Sequence, residues 1–149
     1  MNISKPFCIQ ILLIVLLFPL QSRADLGGNP ASIAADGKAM NATLRSMPSA
    51  LYMVSILQLP SGTVVKEFAD NTTGTVFGIA WQGPFMPDLK QLLGSYYSAY
   101  VGALHAKLGP GFVDTPGLVV RSNGHMRAFS GQGYIPNLLP SGVSPSQIQ

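Results

Sequence analysis

The chain has 149 residues and few charges: nine Lys and Arg against six Asp and Glu give a formal net charge of +3, and 10% of its residues are charged. An average soluble protein has about 25% charged residues. Such a surface exerts little long-range electrostatic attraction, which argues against a nucleic-acid-binding protein. The length allows one domain with a modest core.

The first 24 residues have the three parts of a secretory signal peptide. Lys5 gives the positive start, Phe7 to Leu20 is an almost unbroken apolar run, and Ser22 and Ala24 are the small residues that a signal peptidase reads, with Asp25 beyond. The run is shorter than the roughly 20 apolar residues that span a bilayer. We predict cleavage between Ala24 and Asp25, export to the periplasm or beyond, and no stable transmembrane span afterwards. An uncleaved anchor is the alternative.

Removal of this leader changes the chemistry of the chain. Lys5 and Arg23 leave with it, so seven basic and six acidic residues remain and the formal charge falls to +1. The single cysteine, Cys8, leaves as well. The mature chain is therefore expected to have no disulfide, no thiolate metal site and no cysteine nucleophile. The loss of basic residues also removes the main support for nucleic-acid binding.

Residues 25–149 are expected to form a single domain, which starts with a loosely ordered, partly helical arm over residues 25–48. Three β-rich runs separated by turn sequences follow: Leu51–Leu59, Thr63–Phe68 and Val76–Trp81. In the third run, simple alternation places Phe77, Ile79 and Trp81 on one face of the sheet.

A long helix is predicted from Asp88, a helix cap, to about Leu108, with leucines and tyrosines at helical spacing on one broad face. Its other side carries small residues where a solvated helix normally carries Lys and Glu: Gly94, Ser98, Gly102 and Ala106. Small residues let a second backbone come close. We predict that the N-terminal arm or a second copy of the chain packs there; a weak, water-facing helix side is the alternative.

Two further strands are predicted at Leu118–Arg121 and His125–Ser130, joined through Asn123-Gly124, because Asn-Gly between extended runs signals a hairpin. Residues 134–149 form a Pro-rich tail in which Ser144-Pro145 starts a short helix. The predicted fold is α+β. It has an antiparallel sheet of about five strands, three and then two, with one long helix on one face.

Three segments resemble one known family: LPSGTVVKEF at 59–68, VFGIAWQGPFMPDLKQLLGSYY at 76–97 and LVVRSNGHMRAFSGQGYIPNLLPSGVSP at 118–145. The most specific part is W-x-G-P-x-x-P-D-L-x-x-L-L-G, which begins at Trp81. The family comprises small secreted proteins of Gram-negative bacteria and is known as domain of unknown function 2844. The resemblance implies an exported bacterial protein and brings no activity, ligand or catalytic residue.

Metal and catalytic sites have little support in the sequence. The two histidines, His105 and His125, lack the spacing of zinc motifs, so no metal or cofactor is expected. The G-x-S-x-G elbow of serine hydrolases is absent. His125 with Asp88 or Asp114 could still meet a Ser in space, so a small hydrolase built on His125 stays an alternative.

Binding residues are easier to suggest. Trp81 and Tyr97 come from adjacent elements, and Arg121, His125 and Arg127 cluster around the last predicted hairpin. Aromatic and Arg side chains are typical contact residues. The alternatives are that Trp81 belongs to the core and that the arginines are simply solvated.

These observations favour a non-enzymatic exported module that binds another envelope component or itself. Self-association would use the small-residue side of the helix. The other candidates are the small hydrolase and a small-ligand carrier with an aromatic-lined pocket between sheet and helix, which needs a cavity of at least about 300 Å³.

The leader prediction has a direct test. After expression of the full chain in a Gram-negative bacterium, N-terminal sequencing of the exported protein is expected to begin at Asp25. The variant Ala24→Lys replaces the small residue that the peptidase reads, so its uncleaved precursor should accumulate. Recovery of the intact precursor as the main form of the unmodified protein would contradict this prediction.

Overall fold

The computed structural model describes residues 26–106 and 111–149. The predicted leader and its cleavage site lie outside the described residues. The helices and strands are, in chain order, α1 (Pro30–Ala39), β1 (Thr43–Pro48), β2 (Tyr52–Gln58), β3 (Val64–Asp70), β4 (Val76–Gly83), α2 (Leu89–Leu93), α3 (Tyr97–Ala106), β5 (Phe112–Thr115), β6 (Leu118–His125) and β7 (Ala128–Tyr134). Short 3-10 turns occur at Gly94–Tyr96, Pro136–Leu138 and Pro145–Gln147.

The strands form one antiparallel sheet in the order β1-β2-β3-β4-β7-β6-β5. The first four strands make a meander, the chain crosses in α2 and α3 to the far edge, and β5, β6 and β7 return until β7 pairs with β4. The α+β class and the antiparallel sheet are confirmed. The sheet has seven strands, whereas the sequence predicted about five.

The two additional strands are the edges of the sheet. All six residues of β1 are exposed, so the strand lacks the apolar and polar alternation by which a sequence reveals a half-buried strand. β5 is four residues long and is equally hard to detect. β1 belongs to the segment 25–48 that was predicted as an arm, and α1 supplies the helical part of that arm.

The predicted helix forms a helical segment that is interrupted at Gly94. The Asp88 carboxylate accepts hydrogen bonds from the backbone N–H groups of Lys90 and Gln91 at 2.9 and 3.1 Å, which confirms Asp88 as the helix cap. Gly94 has a φ of +48°, a left-handed value that glycine adopts without steric cost. A 3-10 turn then separates α2 from α3.

A β-bulge in β4 decides which side chains face the helices. The register between β3 and β4 shifts next to Phe77, which reverses the alternation at that point. Val76, Ile79 and Trp81 therefore pack into the core below the helices, and Phe77 packs on the opposite face. The prediction that Phe77 shares a face with Ile79 and Trp81 was wrong, because alternation alone does not anticipate a bulge.

The sheet thus has two differently covered faces. We call the side below α1, α2 and α3 the helix face and the other side the tail face, because the C-terminal tail lies on it. Ile148 of the tail is fully buried beside Gly78, where an added Cβ would come within 2.9 Å of the isoleucine Cδ1. Leu139 and Val143 pack against the same apolar cluster.

The last hairpin is present, but its turn lies later than predicted. β6 continues through Asn123-Gly124, and Met126-Arg127 make the turn. A two-residue turn at Asn123-Gly124 would pair Val120 with Arg127, whereas the observed register pairs the buried Val120 with the buried Gly133. Burial of the apolar face therefore overrides the local turn preference.

The glycines of β7 lie opposite large side chains of β4. Gly133 pairs with Ile79 and Gly131 pairs with Trp81. A Cβ added to Gly131 would come within 2.2 Å of Trp81 Cζ2 and within 2.6 Å of the Arg121 carbonyl oxygen. The indole ring covers the glycine, so the absence of a side chain at residue 131 is a packing requirement.

The variant Gly131→Ala should therefore lose stability, because its methyl group overlaps both a core ring and a backbone oxygen. Overpacking of this kind costs about 1–3 kcal/mol. Gly117→Ala is the matched control, since no atom lies within 4 Å of its added Cβ, and its effect should stay within about 0.5 kcal/mol. Urea unfolding of the two variants measures the difference; equal midpoints would show that residue 131 has room for a side chain.

Candidate functional site: a polar groove on the tail face

The tail covers only part of its face of the sheet, and β3, β4, β7 and β6 form the floor of a cavity of about 480 Å³ in the remaining part. The strand register places the side chains of this floor in two rows, Lys66-Ala80-Gln132-Arg121 and Val64-Gln82-Ser130-Asn123. Gln149 of the tail borders the cavity. We refer to these as the first row and the second row.

The first row has a cation at each end. Lys66 and Arg121 are separated by three strand spacings, or about 14 Å between their backbones. Lys66 Nζ donates a hydrogen bond to the main-chain oxygen of Gln149 at 2.9 Å. The Arg121 guanidinium lies over the Phe112 ring, 5.5 Å from its centroid, in a cation–π contact. No acidic side chain is among the described residues that line the cavity, so the side-chain charges at both ends of the row are positive.

Between these cations the lining is uncharged and combines the apolar Val64 and Ala80 with polar side chains. Gln82, Asn123 and Gln132 supply side-chain amides, and Ser130 supplies a hydroxyl. Each amide offers both donors and acceptors of hydrogen bonds, as a ligand hydroxyl does. The middle of the cavity therefore suits a ligand that carries several hydroxyl groups.

A second cavity of about 310 Å³ adjoins the first and shares Gln82 and Ser130 with it. Ala128 lies two residues from Ser130 along β7 and so faces the same side of the sheet. Arg127, in the turn of the last hairpin, borders this second cavity and adds a third cation. We call the two cavities together the groove.

The predicted binding residues lie in different parts of the structure. Arg121 and Arg127 both line the groove. Trp81 borders its floor, but the side chain is only 3% exposed and packs in the core below the helices. Tyr97 is half-buried on α3, with its ring 6.3 Å from that of Tyr100, on the other side of the sheet. His125 is exposed at the end of β6 and pairs with Ala128 in the strand register.

Sequence reasoning did not find the other residues of the groove. No role was assigned to Lys66, Gln82, Ser130 or Gln132, and Glu67, which was interpreted as a strand-surface charge, is buried. A weak signal existed, because Ser130 and Gln132 are spaced by two residues, as the polar face of a strand requires. The strand order that brings them beside Gln82 was not visible in the sequence.

The small-residue side of the helix is open at Gly102 in the described part of the chain. Ser98 and Gly102 are exposed, and no described atom lies within 4 Å of a Cβ added to Gly102. Gly94 belongs to the 3-10 turn, and the side chain of Ala106 lies outside the description. The N-terminal arm therefore does not cover Gly102. Packing of a second copy there stays a prediction.

Residues 26–106 and 111–149 also bear on membrane insertion and on metal binding. None of the helices there is both long and apolar enough to cross a bilayer. No group of three or more His, Cys, Asp or Glu side chains in this part of the chain could hold a metal ion. Among the same residues, His125 makes no hydrogen bond to a Ser or a carboxylate.

A second polar cluster lies on the helix face and joins β3 to α1 and α2. Glu67 and Asp36 are 2% and 1% exposed. Burial, the negative charge of Asp36 and the hydrogen bond between the two carboxyl groups raise the pKa of Glu67 to about 9. Gln91 Nε2 donates to Asp36 Oδ1 at 2.5 Å, while Glu67 Oε1 has no hydrogen-bond partner in the described part of the chain. Glu67 is therefore protonated at neutral pH.

This carboxyl pair stabilises the contact between layers and does not belong to the groove. Glu67 and Lys66 are consecutive in β3 and so point to opposite faces of the sheet. Glu67 is buried beneath the helices, where a ligand in the groove does not reach it.

The family model described as "Protein of unknown function (DUF2844)" matches residues 22–148, a range that contains every residue of the groove except Gln149. The chain belongs to this family. The resemblance in the three sequence segments is thereby confirmed. Neither the curated proteins nor the solved structures include a significant match to the chain.

The buried pair should make stability depend on pH. Glu67 has a pKa of about 9 in the folded state against 4.5 for an ordinary glutamate, so between these values the folded state holds a proton that the unfolded state has released. The free energy of unfolding contributed by Glu67 therefore falls as pH rises through this interval. Glu67→Gln, which carries no titrating proton, should show a flatter profile and greater stability than the unmodified protein near pH 9.

Urea unfolding at several pH values between about 5 and 9 measures this effect, and the comparison is made with Asp114→Asn. Asp114 is an exposed carboxylate on the edge strand β5, so its variant should keep the profile of the unmodified protein. Identical pH profiles for Glu67→Gln and Asp114→Asn would show that Glu67 is ionised in the folded protein.

Proposed function

We propose that the chain is an exported, non-enzymatic binding module whose groove receives a small anionic ligand rich in hydroxyl groups. The observation that carries this proposal is the first cavity, with Lys66 and Arg121 at its ends and amide and hydroxyl side chains between them. Its volume of about 480 Å³ lies within the usual range for small-molecule sites, about 300–1,000 Å³.

The distribution of charge supports an anionic ligand. Seven basic residues follow Ala24 in the sequence, and three of them, Lys66, Arg121 and Arg127, border the groove. The chain beyond the leader has a formal charge of only +1, so the positive potential is local. A local field of this kind favours a compact anion held in a concave site over a long nucleic acid held on a basic surface.

The groove contains binding groups and no evident proton-transfer group. Side chains that commonly act as general acids and bases near neutral pH are His and perturbed carboxyls. The described lining of the groove includes neither, and the one carboxyl with a strongly raised pKa, that of Glu67, is buried on the other face. A binding role therefore accounts for this lining better than hydrolysis.

The proposal also includes export of the protein and a ligand in the cell envelope. Both are supported by the leader pattern of residues 1–24 and by the resemblance of three segments to a family of secreted proteins. The ligand would then be an envelope component that presents carboxylate and hydroxyl groups. The alternative carrier, with an aromatic pocket between sheet and helix, is less well supported, because Leu57, Val65 and Leu93 are buried in that layer.

Calorimetric titration of the purified protein with the acidic disaccharides diguluronate, dimannuronate and digalacturonate tests the groove. At least one of them is expected to bind saturably, more weakly as ionic strength rises, while neutral maltose does not bind. The double variant Lys66→Gln/Arg121→Gln should lose affinity by at least about tenfold, or about 1.4 kcal/mol.

Arg45→Gln, a change of the same type on the exposed edge strand β1, is the matched control and should keep the affinity of the unmodified protein. Thermal unfolding of each variant establishes that it is folded. The proposal is refuted if none of the three acidic disaccharides binds, or if the folded double variant binds as tightly as the control.

A further inference from the structure

We infer that the groove binds the end of an extended acidic oligosaccharide, with the chain entering at the turn of the last hairpin and its end held against the C-terminal tail. This inference rests on the proposed function and specifies its ligand. It is carried by the continuity of the groove, by its one closed end and by the position of its three cations.

The groove is elongated along the strands. The first and second cavities, of about 480 and 310 Å³, share Gln82 and Ser130, so a ligand passes from one to the other over the same side chains. Along β7 the floor runs from Gln132 through Ser130 to Ala128, a path of about 13 Å at the rise of an extended strand. A ligand that uses both cavities is therefore longer than it is wide.

One end of this path is closed. Lys66 Nζ is bonded to the main-chain oxygen of Gln149, and the preceding residue, Ile148, is fully buried against Gly78. At the opposite end lies the hairpin turn, where Arg127 is exposed and Met126 is 97% exposed. A ligand that outgrows the first cavity therefore meets the tail at one end and has room to extend towards Arg127 at the other.

The cations mark the two ends of the path, with neutral polar groups between them. Lys66 and Arg121 lie on opposite sides of the path at its closed end, and Arg127 lies at the open end. A chain of uronic acids carries a carboxylate on every unit and hydroxyls between the carboxylates. Its carboxylates can form charge-assisted hydrogen bonds with the cations at the two ends of the path. Its hydroxyls can bond to the side-chain amides in the middle.

An acidic peptide fits this floor less well. Extended peptides commonly bind proteins by adding a strand to a free sheet edge. The groove instead lies over β3, β4, β7 and β6, each of which pairs with a strand on both sides. A peptide backbone would find no unpaired strand there, whereas sugar hydroxyls can use the side-chain amides.

The test compares uronate oligomers of two, four and six units, of the type that binds best as a disaccharide. For the unmodified protein, affinity should rise at least about fivefold from two to six units. Arg127→Gln should remove this gain, because Arg127 borders the second cavity, which the longer oligomers reach. Arg127→Lys, which keeps the charge, should retain most of the gain, and Arg45→Gln should retain all of it.

The outcomes separate this inference from the function on which it rests. Disaccharide binding without a gain in affinity with length, or a gain that Arg127→Gln does not remove, overturns the oligosaccharide-end model and leaves the binding function standing. Hexa-L-glutamate binding as tightly as the six-unit uronate overturns the carbohydrate class. Absence of binding by uronates of every length overturns both proposals.

Discussion

The pairing of β4 with β7 is the interaction on which the rest of the structure depends. β4 ends the first meander, and β7 reaches it only after the chain has crossed the helix face and returned from the far edge. The indole ring of Trp81 packs over Gly131, so the contact requires a glycine at residue 131. This single junction joins the two halves of the sheet and also brings Gln82 beside Ser130 in the groove.

The groove follows from the unequal covering of the two faces. On the helix face, apolar side chains and the buried Glu67–Asp36 pair fill the layer below the helices. On the tail face, Ile148 and its neighbours cover one apolar cluster, and Gln149 is bonded to Lys66. Beyond that point the sheet surface changes from apolar to polar side chains, and the unburied part of the face becomes a concave, cationic and amide-lined site.

The Glu67–Asp36 pair and the cations of the groove lie in opposite electrostatic environments. Glu67 is withdrawn from water, so its neutral, protonated form is favoured, and its carboxyl group is hydrogen-bonded to that of Asp36. The cations of the groove stay in contact with solvent, where their charge costs little and remains available to an anion. A chain with few charges thus uses burial to neutralise one group and exposure to keep three others charged.

Local structural features could be predicted from the sequence wherever they depend on the residues of a single segment. The cap at Asp88, the turns between the first three strands, the α+β class and the family motif beginning at Trp81 all depend on neighbouring residues, and the structure or the family match agrees with each. The edge strands were missed because exposed or very short strands carry no burial pattern. The bulge at Phe77 and the late turn at Met126-Arg127 were missed because burial on both sides of a strand fixes its register.

The sequence by itself determined the inner strands, the start of the helical segment at Asp88 and the turns between β2, β3 and β4, since these depend on side-chain spacing and turn residues that are adjacent in the chain. Only the tertiary structure decided that Lys66, Gln82, Arg121, Arg127 and Ser130 share one groove. Their proximity arises from a strand order that is not the sequence order. That order is selected by which faces can be buried together, a property of the assembled layers and of no single segment.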